Sequence, residues 1–581
     1  MTGCFAALSE ARPHRNTQNS RAITGYISTH VERRTCNQRP TSPSNTLYLS
    51  HHSVQATKMY AYLLLAAVAV FFVFTFVLHP LYAYLSDPKH LRRYPNFHPL
   101  SGITNIPFMV EATRGFRSKA LREQHKKCPV IRIGPNSLSY GTGRAIKDIY
   151  GHGSGCIKGE LYEVLAGTHF HITDVIDKYE HQRKRKAVSA AFALKNMENW
   201  EYKVADKTER FIRACDKACT PPLKKEMTRP NPEDLTFDYR SYTNFFSIDA
   251  IADIALSEHL HLLDKGTDIV QAERMDGSKF QVNFRDCLHG TARAQSIIVW
   301  ASQWFKFNKW FTRLVSPEFR RLWKLNDGWE ALVYNRATER LKRYQNGEKL
   351  SDIFQAFMED RDGNPRGLEW GEIVAEVSIL MNAGSDTTGI AMCNVMYWLL
   401  KHPDCMTRLR EEVDAVLDAD EVVAPYDKVK HLPYLRACLD ETLRISPSTS
   451  FGLPRRTPAE GAYILGDFIP GDTTVAISAY VAHRDEEIFP DPDKFIPDRW
   501  LGEKGKDLQP FFIAFSAGAR GCIGRNISYL EQTVLLASVV HRYEFALPHP
   551  DWEQTWLEAL NAMPGKMPLK VWRRDLSNRE V

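Results

Sequence analysis

The chain has 581 residues, 44% of them apolar and 25% charged, with 32 Gly and 31 Pro, a balance that excludes disorder, collagen-like repeats and small disulfide scaffolds. A net charge of +6 suits an anionic membrane surface or an acidic partner and is too small and scattered for nucleic-acid binding. The 11 cysteines are odd in number and lack paired spacings, which points to a reducing compartment; Cys215 and Cys219 lie one helical turn apart, but no further ligands complete a metal site.

Residues 1–58 are rich in Arg, Ser, Thr and Asn, without Asp or hydrophobic periodicity. They read as a disordered or wrongly assigned extension ahead of Met59. Residues 60–78, YAYLLLAAVAVFFVFTFVL, carry no charge and are long enough to span a bilayer, so residues 59–85 are expected to be a transmembrane anchor. Tyrosines near both ends fit the interfaces, and Lys89, Arg92 and Arg93 against Lys58 alone upstream place the large C-terminal part in the cytosol. Residues 86–98, within a stretch holding four prolines, read as a stiff hinge. The body, residues 99–581, is expected to be one mainly helical domain. Helical patterns cover residues 178–200, 201–217, 329–345 and 370–400. Strand candidates are residues 130–133 and the pair 463–465 and 474–477 about the Pro470, Gly471 turn.

Near the C-terminus Phe515, Gly518, Arg520, Cys522 and Gly524 make F-x-x-G-x-R-x-C-x-G. Glycines on both sides let a backbone turn tightly around a thiolate, with amide hydrogens left to donate to sulfur. In this pattern the sequence resembles the cytochrome P-450 family, which implies a haem cofactor with Cys522 as axial iron ligand, and a mainly α fold with a small β region behind an N-terminal membrane helix. Other motifs fall in the family's order. Glu441 and Arg444 form E-x-x-R, one helical turn apart, ahead of Arg499 in FIPDRW; the resemblance makes these three a structural charge network. Glu111 with Arg114, Glu180 with Arg183 and Glu318 with Arg321 share the spacing and read as solvated surface pairs.

Within an apolar helix, AGSDTT gathers poor helix formers, which calls for a local groove: Gly384 is expected to let the helix open and Thr387 to take the carbonyl of Ala383 or an inserted water. By resemblance Asp386 and Thr387 are the catalytic acid and alcohol that deliver protons during oxygen activation. Buried haem propionates need cations, and the resemblance assigns His181 and Arg185 in EHQRKRK, Arg455 and Arg520 to them, with Phe515 beside the cysteine loop. Arg183, Lys184 and Lys186 are expected on the solvated face of that helix, free to dock an acidic reductase.

No flavin domain is visible, so the resemblance implies electrons from NADPH through a separate membrane-bound NADPH cytochrome reductase, with cytochrome b5 as a second donor, in the endoplasmic reticulum. Family substrate contacts map to residues 167–177, Ile379, Asn382, Ala383, Ser450, Phe451 and residues 559–564, whose small and apolar side chains suit a hydrophobic small molecule. VIRIGPNSLSY and HRDEEIFPDPDKFIPDRWL look most like filamentous-fungal members, many of which act in secondary metabolism and others on aromatic or plant-derived compounds. A peroxide-rearranging haem enzyme or a haem sensor is disfavoured by the intact acid and alcohol pair.

Overall fold

The computed structural model describes residues 44–576, apart from 225 and 275, with side chains from residue 57. It divides into two units, residues 1–74 and 75–581. In the first, a helix runs Ser44–Val73. The expected extension is therefore helical from Ser44 onward, because no proline or glycine interrupts the chain between that residue and the apolar run; residues 1–43 lie outside the described residues. Among the described residues one helical stretch, Thr57–Ser86, is long and apolar enough to cross a membrane.

The expected hinge is not a free linker. Leu91 and Tyr94 are buried in a small core with Leu138, Tyr140 and Val475, and the Phe97 amide donates to the Arg132 carbonyl at 2.9 Å, so the body begins ahead of residue 99.

The body is mostly helical with small sheets at its margins. The largest sheet has five strands in the order Val130–Gly134, Ser137–Tyr140, Thr474–Ile477, Arg455–Arg456, Ile157–Lys158. The anticipated hairpin between residues 463–465 and 474–477 does not form. Ala462–Ile464 pairs with Asp467–Ile469 across Leu465 and Gly466, both at positive φ, which is the tighter turn. Thr474–Ile477 instead lies between two strands distant in sequence. The 178–200 pattern also splits, into a helix Lys178–Val188 and the start of a second, Glu198–Ala218.

At the centre lies a 32-residue helix, Trp370–Lys401, packed along Tyr239–Leu256. A Cβ at Gly384 would come within 2.5 Å of Ile251 Cγ1, so this glycine serves close helix approach. The helix continues unbroken through it, contrary to the expected opening.

The helix Pro433–Ile445 begins with Pro at its first turn and carries Glu441 and Arg444 one turn apart, both fully buried. Arg444 Nε donates to Glu441 Oε2 at 2.8 Å, and Arg499 Nε to Oε1 at 3.1 Å. The Ile496 amide and Trp500 Nε1 complete the carboxylate shell at 2.8 and 2.9 Å. Arg444 also donates to the carbonyls of His483, Pro492 and Lys494. By contrast the Glu318 and Arg321 side chains are 62% and 61% exposed.

His483 was not anticipated. Its Nδ1 lies 3.1 Å from the Arg444 carbonyl, and its Nε2 accepts from the Ile513 amide at 2.9 Å, which fixes a neutral ring with the proton on Nδ1. Burial, with Arg444 beside it, lowers its pKa to about 3.

Two predictions follow from these contacts. Arg444→Ala strands a buried carboxylate and should cost about 3–5 kcal/mol of stability, whereas Arg321→Ala should change it by no more than about 0.5 kcal/mol; thermal melts of the two variants check this. For His483 the folded pKa lies below the unfolded value, so its stabilisation is full above roughly pH 6.5 and is lost as pH falls toward about 3. His483→Gln should make the dependence of melting temperature on pH between 7 and 5 shallower than in the wild type, and an unchanged slope would exclude this assignment.

Candidate functional site

The cysteine loop is shaped by backbone that few residues tolerate. Ser516 and Gly518 have φ of 57° and 65°, and a Cβ at Gly518 would fall on the Tyr150 carbonyl. The Cys522 amide donates to the Phe515 carbonyl at 2.8 Å and the Gly521 amide to Gly518 at 3.0 Å, closing the loop. Phe515 rests against Tyr529 with ring centres 5.2 Å apart. Directly after the loop comes the helix Arg525–Arg542. Cys522 lies deep in the fold, yet its side chain is free of covering protein atoms. Burial raises the thiol pKa, while the Gly524 and Arg525 amides and the Arg185 and Arg525 charges oppose this by favouring thiolate.

A second feature is an excess of cations. The Asp177 carboxylate caps the Lys178–Val188 helix by accepting from the Glu180 amide at 2.7 Å, and His181 and Arg185 stand four residues apart on it. Arg455 and Lys158 face each other on paired strands. Lys158 Nζ donates to the Thr173 carbonyl. Arg455 donates to Tyr162 Oη at 3.3 Å. Arg520 reaches the carbonyls of Val175 and Ile176 at 2.8 and 2.6 Å. Arg185 reaches that of Gly521 at 2.8 Å. None of these five basic groups makes an ion pair among the described residues. Burial together with mutual repulsion lowers Lys158 to about 7, His181 to about 3 and Arg520 to about 10. Such a cluster fits a buried dianion.

Lys158 is absent from the sequence expectations because it arrives by strand pairing, at a position no local pattern marks. The reading of the EHQRKRK helix also needs correction. Lys184 is buried between Glu372 and Glu376 at 2.6 and 3.0 Å, and Arg183 pairs with Glu180 and Glu372; only Lys186 of the three is left exposed and unpaired for docking.

On the central helix Ile379, Ala383 and Thr387 follow at intervals of four and remain accessible, as does Asn382, although the helix crosses the middle of the body. Thr387 Oγ1 donates to the Ala383 carbonyl at 2.8 Å. Thr388 meets Ser528 at 3.0 Å, tying this helix to the one that follows Cys522. Asp386 points elsewhere. It is buried, with Arg240 at 3.1 Å and His289 at 3.0 Å on Oδ1, and Asn561 at 3.0 Å on Oδ2. Burial raises its pKa, but His289, Arg240 and Asn561 outweigh that and hold it well below the usual carboxylate range. The structure thus brings Asp386 and Thr387 onto adjoining faces of one helix, not into contact.

Ser450 and Phe451 are buried: the Ser450 hydroxyl has no partner among the described residues, and Phe451 lies 6.0 Å from the Trp300 ring. A separate surface hollow of about 620 Å³, bordered by Phe97, Ile106, Pro107 and Val110, contains none of these residues.

A thiol addressed by backbone amides beside cations with no carboxylate partner is a donor set for an iron porphyrin: sulfur for the metal and the five basic groups for its two propionates. Fold and site together define a haem-thiolate class of protein. A family model for cytochrome P-450 matches residues 97–568, and the chain belongs to that family. It is 30% identical over 487 residues, 81% of this chain and 90% of the relative, to a benzoate 4-monooxygenase of Aspergillus niger. Cytochrome P-450 monooxygenases of Fusarium pseudograminearum and Stereocaulon alpinum are 26% and 28% identical, over 89% and 83% of this chain and 88% and 89% of those relatives. The chain is a monooxygenase, an oxidoreductase that uses haem.

The basic cluster yields a prediction of opposite signs. Lys158→Met relieves like-charge repulsion and should raise the melting temperature of the haem-free chain. In the loaded protein it should speed haem transfer to apomyoglobin by about tenfold, the scale of one charge-assisted hydrogen bond. A change of the same sign in both would exclude propionate binding by Lys158.

Proposed function

We propose that the chain is a membrane-anchored monooxygenase that receives electrons originating in NADPH from a separate membrane-bound reductase, with cytochrome b5 as a second donor, and hydroxylates or epoxidises a hydrophobic small molecule. The carrying observation is the Cys522 loop, where the Gly524 and Arg525 amides address a sulfur that stays accessible deep in the fold.

In this reading Cys522 ligates the haem iron. Lys158, His181, Arg185, Arg455 and Arg520 hold the propionates, and Phe515 packs the loop. Bound haem supplies dioxygen activation. Glu441, Arg444 and Arg499 keep the loop in register. Thr387 holds a hydroxyl at the accessible face of the central helix, and Asp386, one residue away, relays protons toward it by transient protonation. Ile379, Asn382 and Ala383 line the substrate side, and Ser450 and Phe451 are assigned to the same substrate set.

The anchor comprises residues 59–85 and the catalytic domain the chain beyond it, facing the cytosol from the endoplasmic reticulum. Lys89, Arg92 and Arg93 support that orientation. The helix Phe305–Val315, whose Trp310, Phe311 and Leu314 are exposed, supports membrane attachment, because the Phe76 ring lies 4.8 Å from that of the adjacent Trp304, tilted by 36°. Secondary-metabolite biosynthesis is the role this reading assigns. Aromatic-acid hydroxylation is the second reading, favoured by the similarity to the benzoate 4-monooxygenase.

The test is the reduced, carbon-monoxide-bound spectrum of the full chain in microsomes with a fungal reductase. A strongly red-shifted Soret band, lost in Cys522→Ser, is expected; its retention in that variant would remove the assignment. With benzoate and a terpenoid and polyketide panel as probes, Thr387→Ala should keep the band and divert NADPH electrons to hydrogen peroxide. Turnover of benzoate alone would establish the second reading.

A further inference from the structure

Asp386 is enclosed by polar groups, and among them His289 is the one partly exposed side chain that can both take up and release a proton. The Asp386 side chain is 3% exposed. Arg240 and Asn244 are buried with it, and Arg240 spends its remaining donors on Asn244 and the Pro564 carbonyl. A guanidinium does not release its proton in a protein, and the amides of Asn244 and Asn561 donate hydrogen bonds without acting as acids. The fourth partner differs. His289 Nε2 lies 3.0 Å from Asp386 Oδ1, its side chain is 26% exposed, and its Nδ1 has no partner among the described residues. Arg285 and Arg293, on the same helix Phe284–Ile298, are tied elsewhere, to Asp268 and to the carbonyls of Ala112 and Thr113.

We propose that His289 is the port through which solvent protons reach Asp386. A solvent hydronium ion protonates Nδ1 while the Nε2 proton passes to Asp386 Oδ1, and the donor is left as water. One N–H bond forms and one breaks, one O–H bond of the hydronium gives way to one on the carboxylate, the carboxylate charge is neutralised, and no electrons move. The ring then returns to its first tautomer by exchange with solvent. The imidazole suits this role because its two nitrogens face different surroundings, one bonded to a buried carboxylate and the other without a protein partner among the described residues on a side chain that is partly exposed. Arg240 and Asn561 hold the carboxylate in place between transfers, so His289 supplies the exchangeable proton that neither of them can give.

This inference rests on the monooxygenase reading. The test uses the full-length holoenzyme with saturating reductase, benzoate as the probe, and the variants His289→Gln and His289→Ala. Gln keeps a hydrogen-bond donor toward Asp386 but cannot pass a proton. Both variants should retain the red-shifted carbon monoxide band, and His289→Gln, which keeps a donor toward the buried carboxylate, should also retain the wild-type melting temperature. Both should lower NADPH-driven oxygen consumption by about tenfold or more, with a solvent deuterium isotope effect at least about twice that of the wild type. A wild-type rate and isotope effect in His289→Gln would overturn the proposal and leave His289 as a spacer.

A second readout needs no turnover. In the carbon-monoxide-bound, histidine-¹⁵N-labelled chain, a ring N–H signal that moves in Asp386→Asn should exchange with deuterated solvent far faster than that of the buried His483. Equal protection of the two rings would also overturn the proposal, whether or not the variants fold. Absence of the thiolate-type band from the wild type would instead overturn the enzyme reading, and the exchange measurement would still decide whether His289 is a port.

Discussion

The Glu441 carboxylate is fully buried, and the region beneath the cysteine loop is organised by the need to satisfy it. A buried anion is tolerated only when cations and donors surround it on all sides. Arg444 comes from its own helix, and Arg499, Trp500 and the Ile496 amide come from a segment some 55 to 59 residues further along the chain. Gathering them brings the 483–513 stretch against the Pro433–Ile445 helix. The Arg444 carbonyl and the Ile513 amide then clasp the two nitrogens of His483, and two residues beyond Ile513 lies Phe515, whose carbonyl takes the Cys522 amide. A continuous set of polar contacts therefore runs from a buried ion pair to the sulfur. Because each group in it would be costly to leave unpaired, the loop has little freedom to place Cys522 anywhere else.

Opposite electrostatics govern the other side of the loop. Around Glu441 the charges balance within the protein; around Arg455 they do not. Lys158, His181, Arg185, Arg455 and Arg520 share one neighbourhood, and burial together with the positive charges around them lowers Lys158, His181 and Arg520. Their hydrogen bonds go to carbonyl oxygens and the Tyr162 hydroxyl, which carry partial charge only. Such a cluster costs stability until an anion joins it, so cofactor binding and folding are coupled through it, and a dianionic porphyrin edge is worth more to this protein than its apolar contacts alone.

Much of this was legible in the amino-acid sequence, for a physical reason: the anchor, the cysteine loop, E-x-x-R and the central helix each rest on contacts between residues near one another in the chain. Three turns of i, i+4 accessibility at Ile379, Ala383 and Thr387 follow from helix geometry once the helix is recognised. What escaped depends on distant pairing. Strand Thr474–Ile477 looks like half of a hairpin with residues 463–465, but its partners come from Ser137–Tyr140 and Arg455–Arg456. Lys158 reaches the basic cluster because Ile157–Lys158 joins that same sheet. Lys184 looks solvated on its own helix and is buried because the central helix brings Glu372 and Glu376 over it. Gly384 looks like a point of opening, and its function is visible only with Ile251 beside it.

The central helix also explains why an acid and an alcohol adjacent in sequence are kept apart in space. Successive residues on a helix are turned by about 100°, so Thr387 faces the accessible line of Ile379 and Ala383 while Asp386 faces the Tyr239–Leu256 helix and its Arg240. A carboxylate on the accessible apolar side would be desolvated without partners and would take up a proton permanently. Placed one residue back, it keeps its charge through Arg240, His289 and Asn561. The helix thus divides the polar network around Asp386 from the accessible cleft, and the ordered Thr387 hydroxyl, held by the Ala383 carbonyl, stands one residue from that carboxylate on the cleft side.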